Sequence, residues 1–564
     1  MMLELMWADT SMPPQPQQNV NLAAPGFLGI NTQDSPTQLP IGFASVATNC
    51  VIDKLGRLAS RKGLYQLTIN HDDISADPTD PEYLNVCGTF SADDGNVYTL
   101  CASDTKIFNQ EAGGSITELT LPITPTAGDW QISTFNDKAF LVQEGHVPQV
   151  FDYATPTVTS SITPPVGPTG NPNCMAVGFG HVFWAGFTNT PSTIYWSELG
   201  DGTTWTGGAS GSINVAYFWP NNYDQITAIH VHNNFLVIFG ENSILVYQVP
   251  TGASGATAAI GPVGMTLVDT VSGIGCVSRD SVQSVGTDVF FLDNTGVRAL
   301  GRTIQEKSMP IGDISRNVRK DITRVIKNAG ASKNLLKAFY DPDESYYILF
   351  APTASTAYVF DTREYLPDGA ARVTQWAETG IRHACRDENA NISYYAGKRG
   401  VFYLIDSNDF VRSDNYIGGG GFSGGFSTGF ALGGLQAVEP SSIVANWATH
   451  PITFDQPATT KIPKQTDVIV AGGSTVDLTF KWAFDYSYTW NPSMLSFTGS
   501  TPALYGTSQY GLATYGPAGE SLAELKFNMW GTGKNIRLAF DADVLGVPVS
   551  FQEINMQALL GRIV

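Results

Sequence analysis

Seven times along the chain, an apolar and aromatic-rich strand is followed by a polar turn and a second strand of the same kind. The leading strands are GNVYTLCA at 95–102, DKAFLVQE at 137–144, GHVFWAGF at 180–187, NNFLVIFG at 233–240, TDVFFLDN at 287–294, ESYYILFA at 344–351 and NISYYAGK at 391–398. Their partners include KIF at 106–108, QVFDY at 149–153, TIYWSE at 193–198, SILVYQV at 243–249, GVRAL at 296–300, AYVFDT at 357–362 and VFYLID at 401–406. Aligned on Tyr98, Phe140, Phe183, Leu236, Phe290, Tyr347 and Tyr394, the units step by 42, 43, 53, 54, 57 and 47 residues. Propeller blades of four strands recur at about 40–50 residues. A lone sheet of this kind would leave an apolar face wet, whereas packing sheets around an axis buries both faces and leaves short edges. The pattern therefore predicts an all-β protein with a β-propeller of six or seven blades over 86–410.

The rest of the 564-residue chain is too long to belong to that one core. Residues 1–85 predict an extended N-terminal arm, rich in Pro, Gln and Asn through residue 40, followed by platform strands. Residues 411–442 hold a Gly/Phe-rich loop and linker. Residues 443–564 predict a separate β-sandwich-like domain, with VIVAGG, VDLTFKWAF, ELKFNMW, NIRLAFDA and SFQEINMQALL as its strands. Composition agrees, because 57 Gly, 32 Pro and only 15% charged residues suit short strands and tight turns. No run approaches the roughly 18 apolar residues of a spanning helix. The N-terminus lacks a basic region followed by an apolar one, so a secretory signal is not expected.

Six cysteines, at 50, 87, 101, 174, 276 and 385, show no C-x-x-C pairing. Buried free thiols are expected, with Cys87 and Cys101 on neighbouring strands. The formal charge of −20 favours solubility and opposes broad adhesion to nucleic acid. It leaves room for a wall beside which DNA slides.

One helix is expected inside the β region, at 313–328, with Ile314, Val318, Ile322, Val325 and Ile326 at helical spacing and Asp313 or Ser315 as its cap. Its outer face carries Arg316, Arg319, Lys320, Arg324 and Lys327, a basic cluster in an acidic chain that is either a solvated face or a DNA- or partner-facing patch. The stretch GGGGFSGGFSTGFALGG at 418–434 places Phe422, Phe426 and Phe430 four residues apart, and is either a linker or a loop that neighbouring subunits order.

Recognisable chemistry is sparse. GTGK at 531–534 lacks the earlier Gly and the following Ser or Thr of a phosphate loop, so a strand-connecting turn is expected. His230 and His232 share one face of a strand without a third metal ligand in view. No G-x-S-x-G elbow is present. SADDGNVY at 91–98 resembles the Asp-box of sialidase-type propellers through Ser91, Asp93, Gly95 and Tyr98, but the equivalent segment ELGDGTTW at 198–205 has Glu198 and Gly200 at the Ser and Asp positions. DPDES at 341–345 and DNTG at 293–296 read as structural turns rather than calcium loops. No catalytic residue, metal site or cofactor is expected.

The order of several segments carries a family likeness. PGFLGINTQDSPTQLP at 25–40 and ATNCVIDKLGRLASRKG at 47–63 resemble the start of the tail nozzle proteins of short-tailed bacteriophages, also called tail tubular protein B. TIYWSELGDGTTW at 193–205, ITAIHVHNNFLVIFGENSILVY at 226–247, VGTDVFFLDNTGVRAL at 285–300 and KSMPIGDISRNVRKDI at 307–322 look like the propeller portion. GTGKNIRLAFDADVLGVPVSFQEINMQALLGR looks like the C-terminal sandwich of such proteins. The Gly/Phe loop departs from the family pattern.

That resemblance implies a structural virion protein, not an enzyme. It implies a homo-hexameric ring below the adaptor ring proteins, with tail fibres or spikes at its periphery and packaged DNA passing through the channel, assembled in the host cytoplasm without membrane insertion. Six copies at −20 each carry about −120 formal charge, which keeps phosphates from sticking to the wall. Arg316 to Lys327 then dock on an acidic neighbour or meet DNA, and Phe422, Phe426 and Phe430 form a channel gate. The alternatives are a propeller-bearing tail fibre or adhesin and a sialidase-like glycan-cleaving enzyme, the latter marked by paired carboxylates about 5–9.5 Å apart.

Overall fold

The computed structural model describes residues 17–66, 74, 82–92, 95, 97–110, 116–125, 128–153, 157–159, 170–220, 223–249, 264–301, 313–352, 355–377, 380–387, 391–397, 400–404, 443–472, 476–497, 521–544 and 549–563. The alternating and apolar runs become strands, and consecutive strands join into small antiparallel sheets. The first four are up-and-down meanders of four strands each, beginning with Val86–Ser91, Gln131–Phe135, Cys174–Gly178 and Ile226–His232. A three-stranded sheet follows, beginning with Gln283–Val285. The meander Lys337–Asp341 to Ala371–Ala377 comes next, then Ile381–Asp387, Ile392–Gly397 and Gly400–Leu404.

The leading strands of these sheets pack side by side in a ring. Val86–Ser91 lies on Gln131–Phe135, which lies on Cys174–Gly178, which lies on Ile226–His232. Between the fourth and fifth sheets stands a short 3-10 turn, Arg279–Ser281, with a hydrogen bond between His230 Nε2 and Ser284 Oγ at 2.9 Å. Gln283–Val285 then lies on Lys337–Asp341, that strand on Ile381–Asp387, and Ile381–Asp387 returns to Val86–Ser91. The fold of this region is β-propeller-like. Aromatic side chains fill the seams between sheets: Phe239 meets Phe291 at 5.1 Å, and Phe290 meets Tyr347 at 5.6 Å. The last sheet gains its fourth strand from far upstream, where Leu64–Gln66 pairs antiparallel with Gly400–Leu404.

The ends of the chain build a second body together. The sixth meander continues through Gly29–Ile30, Phe43–Thr48, Ile443–Thr449, Ile536–Val544, Val476–Phe484 and Asn491–Phe497 into one ten-stranded sheet. Gly29 is required at this junction. Its φ is +80°, and a Cβ there would sit 2.6 Å from the Val373 carbonyl oxygen. A second sheet runs Ser521–Asn528, Thr459–Gly472, Val549–Ile563, Leu58–Ser60 and Cys50–Ile52, and Gln17–Ala23 also pairs with Val549–Ile563. The inner faces of the two sheets meet through Phe540 and Phe551, ring centroids 3.8 Å apart, and Phe480 and Phe527 at 4.9 Å.

This arrangement changes two expectations. The C-terminal strands do not stand apart, since strands of residues 17–60 are members of the same two sheets. The described part of the N-terminal arm, from Gln17, is not a free extension but a strand paired with the chain's own Val549–Ile563, and it buries Leu22 against the shared core. The physical reason is the alternation of QQNVNLA, which turns Val20 and Leu22 toward one face.

The expected helix begins as a 3-10 turn at Arg316–Val318 and becomes α-helical over Arg319–Ala329. Ile314, Val318, Ile322, Val325 and Ile326 are all buried against the sixth meander and its neighbours. No side chain caps the α-helical turn itself. Instead, the buried Asp313 carboxylate accepts from the Ser315 N–H and hydroxyl, each at 2.8 Å. The six cysteines are free, and Cys87 stands directly opposite Cys101 on the adjacent strand.

Candidate functional site

The helix that carries the basic cluster is largely charge-compensated by its own chain. Arg316 pairs with Asp368 at 3.1 Å, Arg319 with Asp313 at 2.8 Å and Arg324 with Asp321 at 2.7 Å. Lys320 and Lys327 point to solvent and have no ion pair among the described residues. The cluster thus offers two uncommitted cations, a weaker field than five. Phe422, Phe426 and Phe430 lie outside the described residues.

The turns behave as structural elements. GTGK packs on Phe484, where a Cβ on Gly531 or Gly533 would approach that side chain within 2.5 to 2.7 Å. The Lys534 N–H donates to Asp485 at 2.6 Å, so no phosphate cradle is open there. In DPDES, Asp341 accepts from the Asp343 N–H and the Tyr395 hydroxyl, both at 3.1 Å. In DNTG, Asp293 accepts from Thr295 Oγ1 at 2.6 Å and pairs with Arg298 at 3.2 Å. Of the Asp-box SADDGNVY, Asp93 lies outside the described residues. In ELGDGTTW, Asp201 takes the turn-closing role one residue late, accepting from both Thr203 Oγ1 and Thr204 Oγ1, while Trp205 stacks on Trp184 at 3.8 Å. His230 and His232 bind Ser284 Oγ and the Thr287 carbonyl across the sheet seam. No group of three or more His, Cys, Asp or Glu suited to a metal occurs among the described residues.

The strongest concentration of polar chemistry was not singled out by its sequence. It lies at one mouth of the ring, where the leading strands begin. Arg279, in the 3-10 turn before the fifth sheet, is buried and spends all its nitrogens on protein. Nε donates to Asp280 at 2.8 Å. One terminal nitrogen donates to the Asn173 carbonyl at 2.5 Å, and the other to Asp280 at 2.9 Å and Asp129 at 3.2 Å. Lys337, 1% exposed, stands 3.2 Å from Asp280 and 3.7 Å from Asp129. Lys337 Nζ forms these pairs by distance, without hydrogen-bond alignment.

These groups set each other's ionisation. Burial alone would raise the Asp280 carboxyl, but Arg279 and then Lys337 hold it well below the usual carboxylate range. Burial opposes charge on Arg279, and Asp280 and Asp129 more than offset it. His383, on the leading strand of the last sheet, is pushed down to about 3 by burial and then by Lys337, and its Nδ1 accepts from the Cys87 N–H at 3.3 Å. The cluster joins sheets that lie far apart in sequence. One local hint was available: Lys337 interrupts the apolar run LLKAFY. Arg279 and Asp280 carry no comparable signal.

Above this cluster opens a cavity of about 470 Å³, lined by Asp129, Asn173, Tyr223, Arg279, Glu144 and Glu241 among others. A second surface feature lies on the two-ended sandwich. Tyr486, Tyr488, Met494 and Trp530 stand exposed around the edge strand Asn491–Phe497, with Tyr488 93% exposed. Arg537 lies over the Trp490 ring at 4.7 Å. Among the described residues, no helix is long and apolar enough to cross a membrane.

No protein-family model matches the chain, and no curated protein matches it. Solved structures do align with it. A streptogramin B lyase structure is 12% identical, with a TM-score of 0.35 over 61% of this chain and 98% of that one. A catalytically inactive virginiamycin B lyase from Staphylococcus aureus with quinupristin is 12% identical, with a TM-score of 0.37 over 61% and 99%. A chain of a mitotic checkpoint complex is 7% identical, with a TM-score of 0.33 over 62% and 94%. Likeness at this level assigns neither an activity nor a partner to the present chain.

Proposed function

We propose that the protein is a non-catalytic structural subunit of a phage tail nozzle, with a seven-bladed propeller fused to a sandwich built from both chain ends. The observation that carries this reading is the unbroken ten-stranded sheet from the sixth meander to Asn491–Phe497. It makes ring and sandwich one stiff unit, as suits a protein whose work is to hold a fixed place among identical copies. The ordered likeness of residues 193–205, 226–247 and 285–300 to nozzle propellers supports the same reading, since these segments form successive ring strands. The exposed Tyr486, Tyr488, Met494 and Trp530 supply apolar area for an interface between copies. In this reading six copies surround the DNA channel below adaptor rings, and fibres or spikes attach outside. In this reading DNA runs between copies and not through a propeller axis.

Native mass measurement of the purified assembly tests the proposal. Six copies of the 60.6-kDa chain are expected, and the substitutions Met494→Asp and Tyr488→Asp together should return it to monomer. A stable monomer in the unmodified protein removes the reading. A glycan-cleaving protein is the second reading, favoured by the carboxylates around the cavity. It requires sugar release from host polysaccharide that is lost in Glu241→Gln.

A further inference from the structure

The cavity at the ring mouth, about 470 Å³ in volume, is of a size for a small organic molecule rather than a bare ion. Its charges fall into two sets. In the inner set, Arg279 pairs with Asp129 and Asp280, and Lys337, buried behind the cavity wall, pairs with the same two carboxylates. Arg279 has no donor left for a ligand, because its nitrogens already serve Asp280, Asp129 and Asn173. An anion therefore finds no free cation among the described lining residues.

The outer set is acidic. Glu144 sits in the turn between the second and third strands of the second sheet, and Glu241 in the corresponding turn of the fourth. Glu241 accepts from Gln225 Nε2 at 2.7 Å, and neither carboxylate has an ion pair among the described residues. Tyr223, 73% exposed, lines the same space. So does Ser278, which is 3% exposed and whose Oγ has no hydrogen-bond partner among the described residues. A buried hydroxyl left unpaired is costly, and an incoming N–H donor would relieve it.

We propose that this cavity binds an organic dication, a diamine or longer oligoamine. The ammonium groups pair with Glu144 and Glu241, and the alkyl stem lies against Tyr223. This site does not depend on the nozzle reading.

Calorimetric titration of the full chain with 1,4-diaminobutane at low salt is the test. Saturable one-to-one binding is expected, weakened about tenfold or more in Glu144→Gln/Glu241→Gln. The variant Asp543→Asn/Glu524→Gln removes the same charge from the sandwich and should bind like the parent. Butylamine, with one ammonium, should bind at least about tenfold more weakly than the diamine. Equal binding by both variants, or by butylamine, would mean a diffuse counterion cloud on an acidic chain and would overturn the proposal. Absence of saturable heat would overturn it as well. Thermal melting establishes that the variants are folded. Should the double variant melt early, Glu144→Gln alone, in its exposed turn, carries the comparison.

Discussion

The ring and the two-ended sandwich are both antiparallel β structure, but they are sewn differently. In the ring, nearly every sheet is a meander of consecutive strands, with Leu64–Gln66 joining the last one from a distance. In the sandwich, Gln17 pairs with Leu559 and Cys50–Ile52 shares a sheet with Val549–Ile563. The ring holds a buried ionic cluster at its mouth, while the sandwich interior is aromatic, with Phe480, Phe527, Phe540 and Phe551 in mutual contact. Local meanders close cheaply in loop entropy and then need a common tie across the axis. Distant strands cost more to bring together and are held by apolar burial.

The largest effect expected from this contrast follows deletion of residues 549–563. That strand pairs with Thr459–Gly472, Gln17–Ala23 and Leu58–Ser60, so its loss opens the sandwich core. The shortened chain should lose cooperative unfolding and bind a hydrophobic dye. Retention of a sharp transition would show that the ring stands without the sandwich.

Arg279→Ala comes next. It leaves the buried Asp280 and the partly exposed Asp129 with Lys337 alone, and removal of one partner from such a set costs about 3–5 kcal/mol. Urea unfolding reads this cost. In the sandwich, Met556→Ala should cost about 2–4 kcal/mol by leaving a cavity between the two sheets. If the bodies are energetically separate, the two losses add within about 0.5 kcal/mol. A larger departure would show coupling through the ten-stranded sheet.

Acid separates the bodies by a smaller step. His383 and His230 belong to the ring, and burial pushes them down to about 3 and about 4 from 6.5. Between those values the unfolded chain binds more protons than the folded one. Stability is therefore complete above about pH 6.5 and falls as pH drops toward 4, by roughly 1 kcal/mol per pH unit for each histidine. Urea midpoints at pH 7 and pH 5 should show it, and His230→Asn should flatten the slope. The smallest effect on stability is that of Lys320→Ala/Lys327→Ala, within about 0.5 kcal/mol in urea unfolding. If the same variant loses assembled particles or releases packaged DNA, the helix face is functional. If it does neither, that face is a solvated one.

The strand pairs of the ring were legible because an apolar, aromatic run bounded by turn residues has few alternatives. The helix was legible through Ile314, Val318, Ile322, Val325 and Ile326, although its first turn tightened to 3-10 geometry. The candidate cavity was not legible. Its carboxylates come from turns in different sheets, and Glu144 in QEGH is indistinguishable from any exposed turn residue. The basic cluster was visible as five cations, but the pairing of three of them with Asp368, Asp313 and Asp321 required coordinates.

The sequence by itself determined where strands and turns fall, because side-chain alternation and turn propensity act over a few residues. It also determined the acidic charge and the absence of a local catalytic signature. Only the tertiary structure decided which strands became neighbours. Backbone edges are chemically alike, so nothing local marks Val549–Ile563 as the partner of Gln17–Ala23, or Leu64–Gln66 as the strand that completes the last sheet. The same holds for Arg279, whose partners Asp129 and Asn173 lie more than one sheet away in sequence and meet it only when the ring closes.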